Sequence, residues 1–304
     1  MNPRLSRTLW HRLEPLNAVA YFCVEMRETF NRHGFQGFWM GYFASRAAPM
    51  GRVSPATVEA TFFNFHPARV RRAIPEAWTY ANPDELLASR ADTAASSLRR
   101  LLSHQLAETT ASLVLPLLEE VIFEATTSGK PLFAGNKDVP RPADPVAALW
   151  QAATTLREHR GDCHVSLLAA AGLSGLEALV LFSLSEGIEA RLFLDRRGWS
   201  TDDWQGAIDD LGARELTSSD GQLSAKGREL RARIEQETDE LASAPYARLP
   251  EGELEDLVTN LERAASPIES SGEIPFPNPM GLPPLDSSTR ASETRAQPAP
   301  NSQS

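Results

Sequence analysis

The stretch PVAALWQAATTLREHRGDCH, residues 145–164, decides how this chain folds. Apolar side chains recur at Val146, Leu149 and Ala153, which is the spacing of one face of an α-helix. If the helix continues through Gly161, the same face runs on into cationic residues. Burying a charge costs free energy unless a partner neutralises it. The sequence therefore predicts either an internal ion-pair network on this face or a pocket for an anionic ligand.

The pocket interpretation depends on Arg157, Arg160 and His164, which helical spacing places on one face. Arginine presents a planar fork of donors that suits carboxylates and phosphates. Residues near two predicted helix breaks complete the candidate site if they converge on this face. The candidate ligand-binding residues are Arg46, Asn64, His66, Arg157, His159 and Arg160.

The network interpretation uses the acids of the same region. Glu158, Asp162 and Glu25 are the candidate partners that would neutralise the buried arginines. The sequence leaves both interpretations open.

A catalytic interpretation also fits these residues. His164 beside Asp162 suits an oriented acid–base pair, and Cys163 suits a nucleophile near cationic groups. The sequence contains no Gly-x-Ser-x-Gly elbow, phosphate-binding loop or dinucleotide fingerprint. Whether the protein is an enzyme stays open, with His164 and Asp162 as the candidate catalytic residues.

Metal binding is disfavoured by the ligand count. His159 and Cys163 are four residues apart and share a helix face. Zinc sites use three or four protein ligands, and no second Cys/His cluster exists to complete one. We therefore expect neither a metal nor a cofactor.

Composition places the chain among cytoplasmic proteins. Hydrophobic residues make up 42% of the 304 residues, enough for real cores. The two cysteines form no disulfide framework, which suits a reducing cytosol. The N-terminal residues lack the apolar core of a signal peptide, and no apolar run is long enough to span a membrane.

Charge is unevenly distributed. The net charge is −10, yet residues 1–72 carry ten arginines and four glutamates, and residues 73–264 carry 18 basic and 32 acidic groups. Only three residues are lysine, so arginine supplies nearly all the positive charge. Such fixed guanidinium forks favour carboxylate or phosphate partners.

The predicted fold is mainly α, with two helical domains and a disordered tail. The turn-rich segment Gly129 to Asp144 separates an N-terminal helical domain, residues 1–135, from a second domain, residues 136–262. Residues 263–304 lose apolar periodicity and are rich in proline and serine, which predicts disorder.

The second domain ends in a pattern that resembles a winged helix of the MarR type. A helix capped by Ser200 is followed by a hairpin signal at Asp220-Gly221 and then by a long helix to about Leu241. The helix that would enter a DNA groove carries four aspartates and no lysine or arginine. DNA affinity comes largely from phosphate neutralisation, so this segment disfavours DNA binding.

Four motifs together resemble a known family. They are GYFASRAAP at 41–49, ATFFNFHP at 60–67, LREHRGDCH at 156–164 and RGWS at 197–200. In this order they are similar to an actinobacterial helix-turn-helix family labelled SalK-like. The resemblance covers about residues 10–260 and implies a helix-turn-helix fold with little chemistry. A glycine is usual in that family where Cys163 stands, which argues against an essential Cys163.

These observations predict a helix-turn-helix protein that binds a small anionic molecule in a regulatory or accessory role. The alternatives are an enzyme that uses a His/Asp/Arg pocket for acid–base chemistry and, third, a DNA-binding transcriptional regulator. A homodimer is compatible with the sequence, and no membrane partner is expected.

Overall fold

A computed structural model describes residues 3–285, and this part of the chain is built from helices. Its fourteen α-helices are α1 (Pro3–Phe22), α2 (Val24–Arg32), α3 (Phe38–Ala47), α4 (Pro55–Phe62), α5 (Pro67–Arg71), α6 (Pro83–Leu102), α7 (His104–Glu124), α8 (Pro131–Asp138), α9 (Pro145–Ala170), α10 (Gly175–Glu186), α11 (Ala190–Arg197), α12 (Thr201–Ala213), α13 (Ala225–Ser243) and α14 (Glu251–Ser270). Over the described range there is no strand, and the mainly α prediction is confirmed.

Helix α9 is the central element of the fold. It begins where the Asp144 carboxylate accepts hydrogen bonds from the backbone of Val146 and Ala147, at 2.8 and 3.1 Å. It continues unbroken through Gly161, which is the condition for the apolar and cationic residues to share one face. It contacts α1, α6, α7, α8 and α13, so its charged second half is enclosed by other helices.

The buried apolar side chains form two clusters, and α9 contributes to both. The larger cluster contains Leu149, Trp150 and Leu156 of α9, packed with side chains from α1 to α7 and from α14. The smaller cluster contains Leu168 of α9 and side chains of α10 to α13. Helix α9 is therefore the rigid connection between them. The predicted domain division at 135/136 stays a prediction.

The region after residue 262 is more ordered than predicted. Helix α14 continues to Ser270, and its residues Ala264, Ala265 and Ile268 are fully buried against the larger cluster. Beyond the helix, Ile274 and Leu282 are also buried. The predicted onset of disorder at 263 missed these few, widely spaced apolar anchors, which suffice to dock the segment. The rest of the predicted tail, 286–304, lies outside the described residues.

The predicted β-wing is reduced to a single contact. Between α12 and α13, one antiparallel bridge pairs Thr217 with Leu223. The backbone hydrogen bonds from Ser218 to Gln222 and from Ser224 to Leu216 support it at 2.8 and 3.1 Å. The two runs around Asp-Gly are too short to extend this bridge into a ladder.

The loop after α4 joins the two clusters. The Trp199 indole donates to the Asn64 carbonyl at 2.9 Å, and the His66 amide donates to the Arg197 carbonyl at 3.0 Å. Gly175 approaches so closely that a Cβ there would lie 1.9 Å from the Phe63 carbonyl oxygen. These contacts fix the end of α11, and with it the side chain of Arg197.

Candidate functional site

One large cleft, here called the basic cleft, lies where α1, α3, α9, α11 and α13 meet. Its volume is about 1590 Å³, and the residues 279–283 close one side. Five of the sequence-predicted site residues line it. They are Arg46, Asn64, Arg157, Arg160 and His164.

The described lining of the basic cleft is strongly cationic. It contains ten arginines and five carboxylates, a net charge of +5 in a chain whose net charge is −10. The arginines are Arg7, Arg12, Arg27, Arg46, Arg157, Arg160, Arg196, Arg197, Arg228 and Arg231, and the acids are Glu14, Glu158, Glu186, Glu235 and Asp239. A cleft whose lining carries a net excess of one sign of charge attracts ligands of the opposite sign.

At the inner end, Glu158 of α9 is held by two arginines. Arg46 donates through Nε and Nη2 to the two carboxylate oxygens at 2.8 and 3.0 Å, and Arg157 adds a bond at 2.9 Å. Burial raises the pKa of Glu158, but Arg46 and Arg157 outweigh it and lower the pKa to about 2. Arg157 also pairs with the buried Glu14 at 3.3 Å. This part of the arginine face is an ion-pair network.

A second ion-pair group lies between α9 and α13. Arg160 pairs with Asp239 at 2.8 Å, and its guanidinium lies 5.0 Å from the Trp10 ring centroid. Arg7 of α1 also pairs with Asp239, at 2.9 Å. Beside them His164 shares a hydrogen bond with Thr238 at 3.0 Å. This group connects α1, α9 and α13 across the cleft.

Arg197, at the end of α11, has no carboxylate within ion-pair distance in the described residues. Its Nη2 donates to the Pro279 carbonyl at 2.8 Å, and its Nε is buried without a hydrogen-bond partner. The guanidinium lies 4.5 Å from the centroid of Phe65. Burial lowers the pKa of Arg197 to about 10; the Tyr42 hydroxyl opposes this, while the nearby Arg46 and Arg157 reinforce it. The site therefore holds a cation whose charge the described residues do not neutralise.

The sequence predicts Arg197 as part of the RGWS motif but not as a site residue. The motif itself was the available sign of a role for Arg197, because its Trp199 donates a hydrogen bond to the Asn64 carbonyl and so holds the end of α11 in place. No helical period connects α11 to α9, so the convergence of Arg197 with Arg46 and Arg157 could not be inferred.

The proposed acid–base pair is not brought together. Asp162 accepts a hydrogen bond from the Phe133 amide at 2.8 Å, while His164 bonds to Thr238. Burial is the main cause that raises the pKa of Asp162 to about 6. The Asp162 carboxylate therefore binds the backbone at the start of α8 and does not line the basic cleft.

Two predicted ligand residues also lie elsewhere. His159 packs edge-on against Phe133 with ring centroids 4.8 Å apart. His66 caps α5 by accepting from the Ala68 amide at 3.1 Å, and its ring packs against Trp199. Neither lines the basic cleft. Within residues 3–285, no three His, Cys, Asp or Glu side chains form a group that could hold a metal ion.

Comparison with known protein families gives a match over most of the chain. A family model described as a helix-turn-helix family matches residues 6–275, and the chain belongs to that family. No curated protein and no solved structure matches it. The narrower actinobacterial, SalK-like assignment stays a prediction.

Within residues 3–285, no single helix is long and apolar enough to cross a membrane. Helices α9 and α10 together have the length and apolar composition of a span, but the pair is bent by 102°.

Proposed function

We propose that this protein is a ligand-binding, cytoplasmic member of its helix-turn-helix family with a regulatory or accessory role. Its ligand is a small anion held in the basic cleft. The observation that carries the proposal is the excess of arginine over carboxylate in the described lining, ten against five, in a chain that is acidic as a whole.

The composition of the cleft lining supports the same proposal. Ligand pockets usually measure about 300 to 1,000 Å³, and the basic cleft is somewhat larger, at about 1590 Å³. Its lining combines arginines with the partly exposed aromatic rings of Phe38, Trp39 and Tyr42. Aromatic rings beside polar groups that fix the orientation of the ligand are typical of small-molecule sites.

We propose further that α10 to α13 form a MarR-type winged unit whose wing is shortened to the Thr217–Leu223 bridge. Helix α12 takes the recognition position in this unit, and its exposed aspartates disfavour DNA. A winged unit of this charge serves packing or self-association. The acid–base alternative lacks support, because His164 and Asp162 bond to different partners.

Native mass spectrometry of the purified protein, beside a denatured control, tests the proposal first. A bound mass that is lost on denaturation would identify the ligand. Thermal unfolding is then followed with phosphate, citrate and naphthoate, each matched to sodium chloride at equal ionic strength. We expect at least one of these anions to raise the unfolding temperature.

Two variants on α13 make the test specific. Arg228 lines the basic cleft, whereas Arg233 is exposed on the same helix and does not. Arg228→Gln should weaken anion binding about two- to fivefold, as expected for an exposed charge contact, and Arg233→Gln should not. If no ligand copurifies and no anion stabilises the protein beyond sodium chloride, the proposed function is wrong.

A further inference from the structure

We infer that the Arg197 end of the basic cleft binds a planar aromatic carboxylate, with the carboxylate on Arg197 and the ring against the aromatic wall. This inference rests on the proposed function and names the class of its ligand. The aromatic wall is defined here as Phe38, Trp39, Tyr42, Phe62 and Phe65.

The free edge of Arg197 has the geometry of a carboxylate site. Elsewhere in this chain, Arg46 and Arg71 each hold a carboxylate through Nε and Nη2, one nitrogen to each oxygen. Arg197 offers the same edge, but Nε has no partner and Nη2 binds only the neutral Pro279 carbonyl. A carboxylate seated on this edge would satisfy Nε and compete with Pro279 for Nη2. Such side-on pairs are strong and direction-specific.

The charge around this edge also favours binding of an anion. Arg46, Arg157 and Arg197 lie close enough to influence one another, and the acids among them are Glu158 and Glu14. Three cations facing two carboxylates leave one positive charge. A buried charge without a partner is costly, so binding a single carboxylate would be favoured at this position.

The aromatic wall supplies the surface for a ring. Trp39 lies against Phe65 with ring centroids 5.8 Å apart, and Tyr42 lies 5.6 Å from Phe65. Phe38, Trp39 and Tyr42 are partly exposed and line the cleft, and the Arg69 guanidinium lies 4.8 Å from the centroid of the Trp39 ring. Aromatic rings prefer offset or edge-on contact at these centroid separations. An aliphatic acid would fill the same space without this interaction.

Isothermal titration calorimetry of the full chain with naphthoate tests the inference. Naphthamide keeps the ring without the charge, and decahydronaphthalenecarboxylate keeps the charge and the two-ring carbon framework without the aromatic character. We expect naphthoate to bind at least about tenfold more tightly than either, because each comparison removes one of the two recognised features.

Variants locate the site. Arg197→Gln should weaken naphthoate at least about tenfold by removing the charged fork, and Trp39→Leu should weaken it about three- to tenfold. Arg197→Lys should recover only part of the affinity, because it restores the charge but not the fork. Arg191→Gln is the matched control, since Arg191 is on the same helix and its side chain is 85% exposed.

The outcomes separate the inference from the proposed function. If phosphate or citrate binds but naphthoate does not, or if naphthoate binds equally well to Arg197→Gln, the basic cleft still binds anions and the inference is wrong. If no anion binds, both are wrong. Should Arg197→Gln fail to fold, the three-ligand comparison on the unmodified chain and the Trp39→Leu variant still decide the matter.

Discussion

Arg46 of α3 donates to both carboxylate oxygens of Glu158 of α9, at 2.8 and 3.0 Å. The Glu158 side chain is only 2% exposed, and Arg157 donates to the same carboxylate. The pair connects segments 112 residues apart in sequence and forms the inner end of the basic cleft. The arginine face predicted on α9 is thus neutralised in part, while Arg197 opposite it has no carboxylate partner among the described residues.

Replacing Glu158 should reduce stability severely. Glu158→Gln leaves Arg46 and Arg157 buried without their shared carboxylate, and breaking a buried ion pair costs about 3 to 5 kcal/mol. We expect the urea midpoint of unfolding to fall by a corresponding amount at unchanged slope. Glu59→Gln is the control, because Glu59 pairs with Arg71, which is 67% exposed, and such a surface pair contributes only about 0 to 1 kcal/mol. Equal losses of stability in the two variants would contradict the prediction, because the ion pairs of Glu158 would then stabilise the fold no more than a surface pair does.

Stability should fall in mild acid because of His159. Burial is the main cause that lowers the pKa of His159 to about 4, and the nearby Lys130 and Lys137 contribute to the same shift. In the unfolded chain, His159 takes up a proton below its ordinary pKa of 6.5. In the folded chain, His159 takes up that proton only near pH 4. The free energy of unfolding therefore decreases as pH falls from 6.5 to 4, by at most about 1.4 kcal/mol per pH unit from this group.

The His159→Gln variant isolates this contribution. Other titrating groups are common to both proteins, so they cancel when the two stability curves are subtracted. We expect a difference curve that changes between pH 6.5 and 4 and is flat above. His104→Gln, which alters a histidine that is 76% exposed, should follow the unmodified protein throughout. Parallel curves for His159→Gln and the unmodified protein would refute the prediction.

Local signals in the sequence predict where several helices begin. Ser54 and Ser200 are predicted as cap residues and Asn82 as the opening of a helix, and in the structure each side chain accepts a hydrogen bond from a backbone amide of the first turn. Such signals depend only on neighbouring residues. They can therefore be recognised without knowledge of the tertiary fold.

Helix breaks were less predictable. The sequence predicts a long helical stretch from Asn82-Pro83 to about Ser128 that Pro116 would kink or break, yet Pro116 lies exposed inside the continuous helix α7. The break occurs at Ser103, which adopts φ 70° and caps α7 through the Leu106 amide. A positive φ normally points to glycine, so serine gave no signal for it.

The candidate site was predictable along one helix and not across helices. Helical period placed Arg157, Arg160 and His164 together, and all three line the basic cleft. Their partners come from distant segments: Arg160 pairs with Asp239, 79 residues away. Glu25, a predicted partner, instead pairs with Arg100. No local pattern distinguishes these acids from the many others in an acidic chain.

Adding one methyl group at Gly175 should destabilise the contact between the two apolar clusters. A Cβ there would lie 1.9 Å from the Phe63 carbonyl oxygen and 3.0 Å from the Asn64 Cα, and backbone atoms cannot rotate aside. Overpacking of this kind costs about 1 to 3 kcal/mol. Gly206→Ala on α12 has no atom within 4 Å of the new Cβ, and should instead stabilise by about 0.5 to 1 kcal/mol through helix propensity. Calorimetric unfolding of both variants should show opposite shifts, and a stabilised Gly175→Ala would contradict the close approach.

Helix α12 should not bind DNA. Its Asp202, Asp203, Asp209 and Asp210 are all exposed, and residues 201–213 contain no lysine or arginine. Binding duplex DNA releases counterions in proportion to the phosphates neutralised, and this surface would add repulsion instead. Titration of a short fluorescent duplex of mixed sequence at low salt should give no saturable anisotropy change. The Asp209→Asn/Asp210→Asn variant leaves the Ser200–Asp203 cap intact. If the duplex binds with an affinity that falls steeply with salt and tightens in this variant, α12 faces DNA after all.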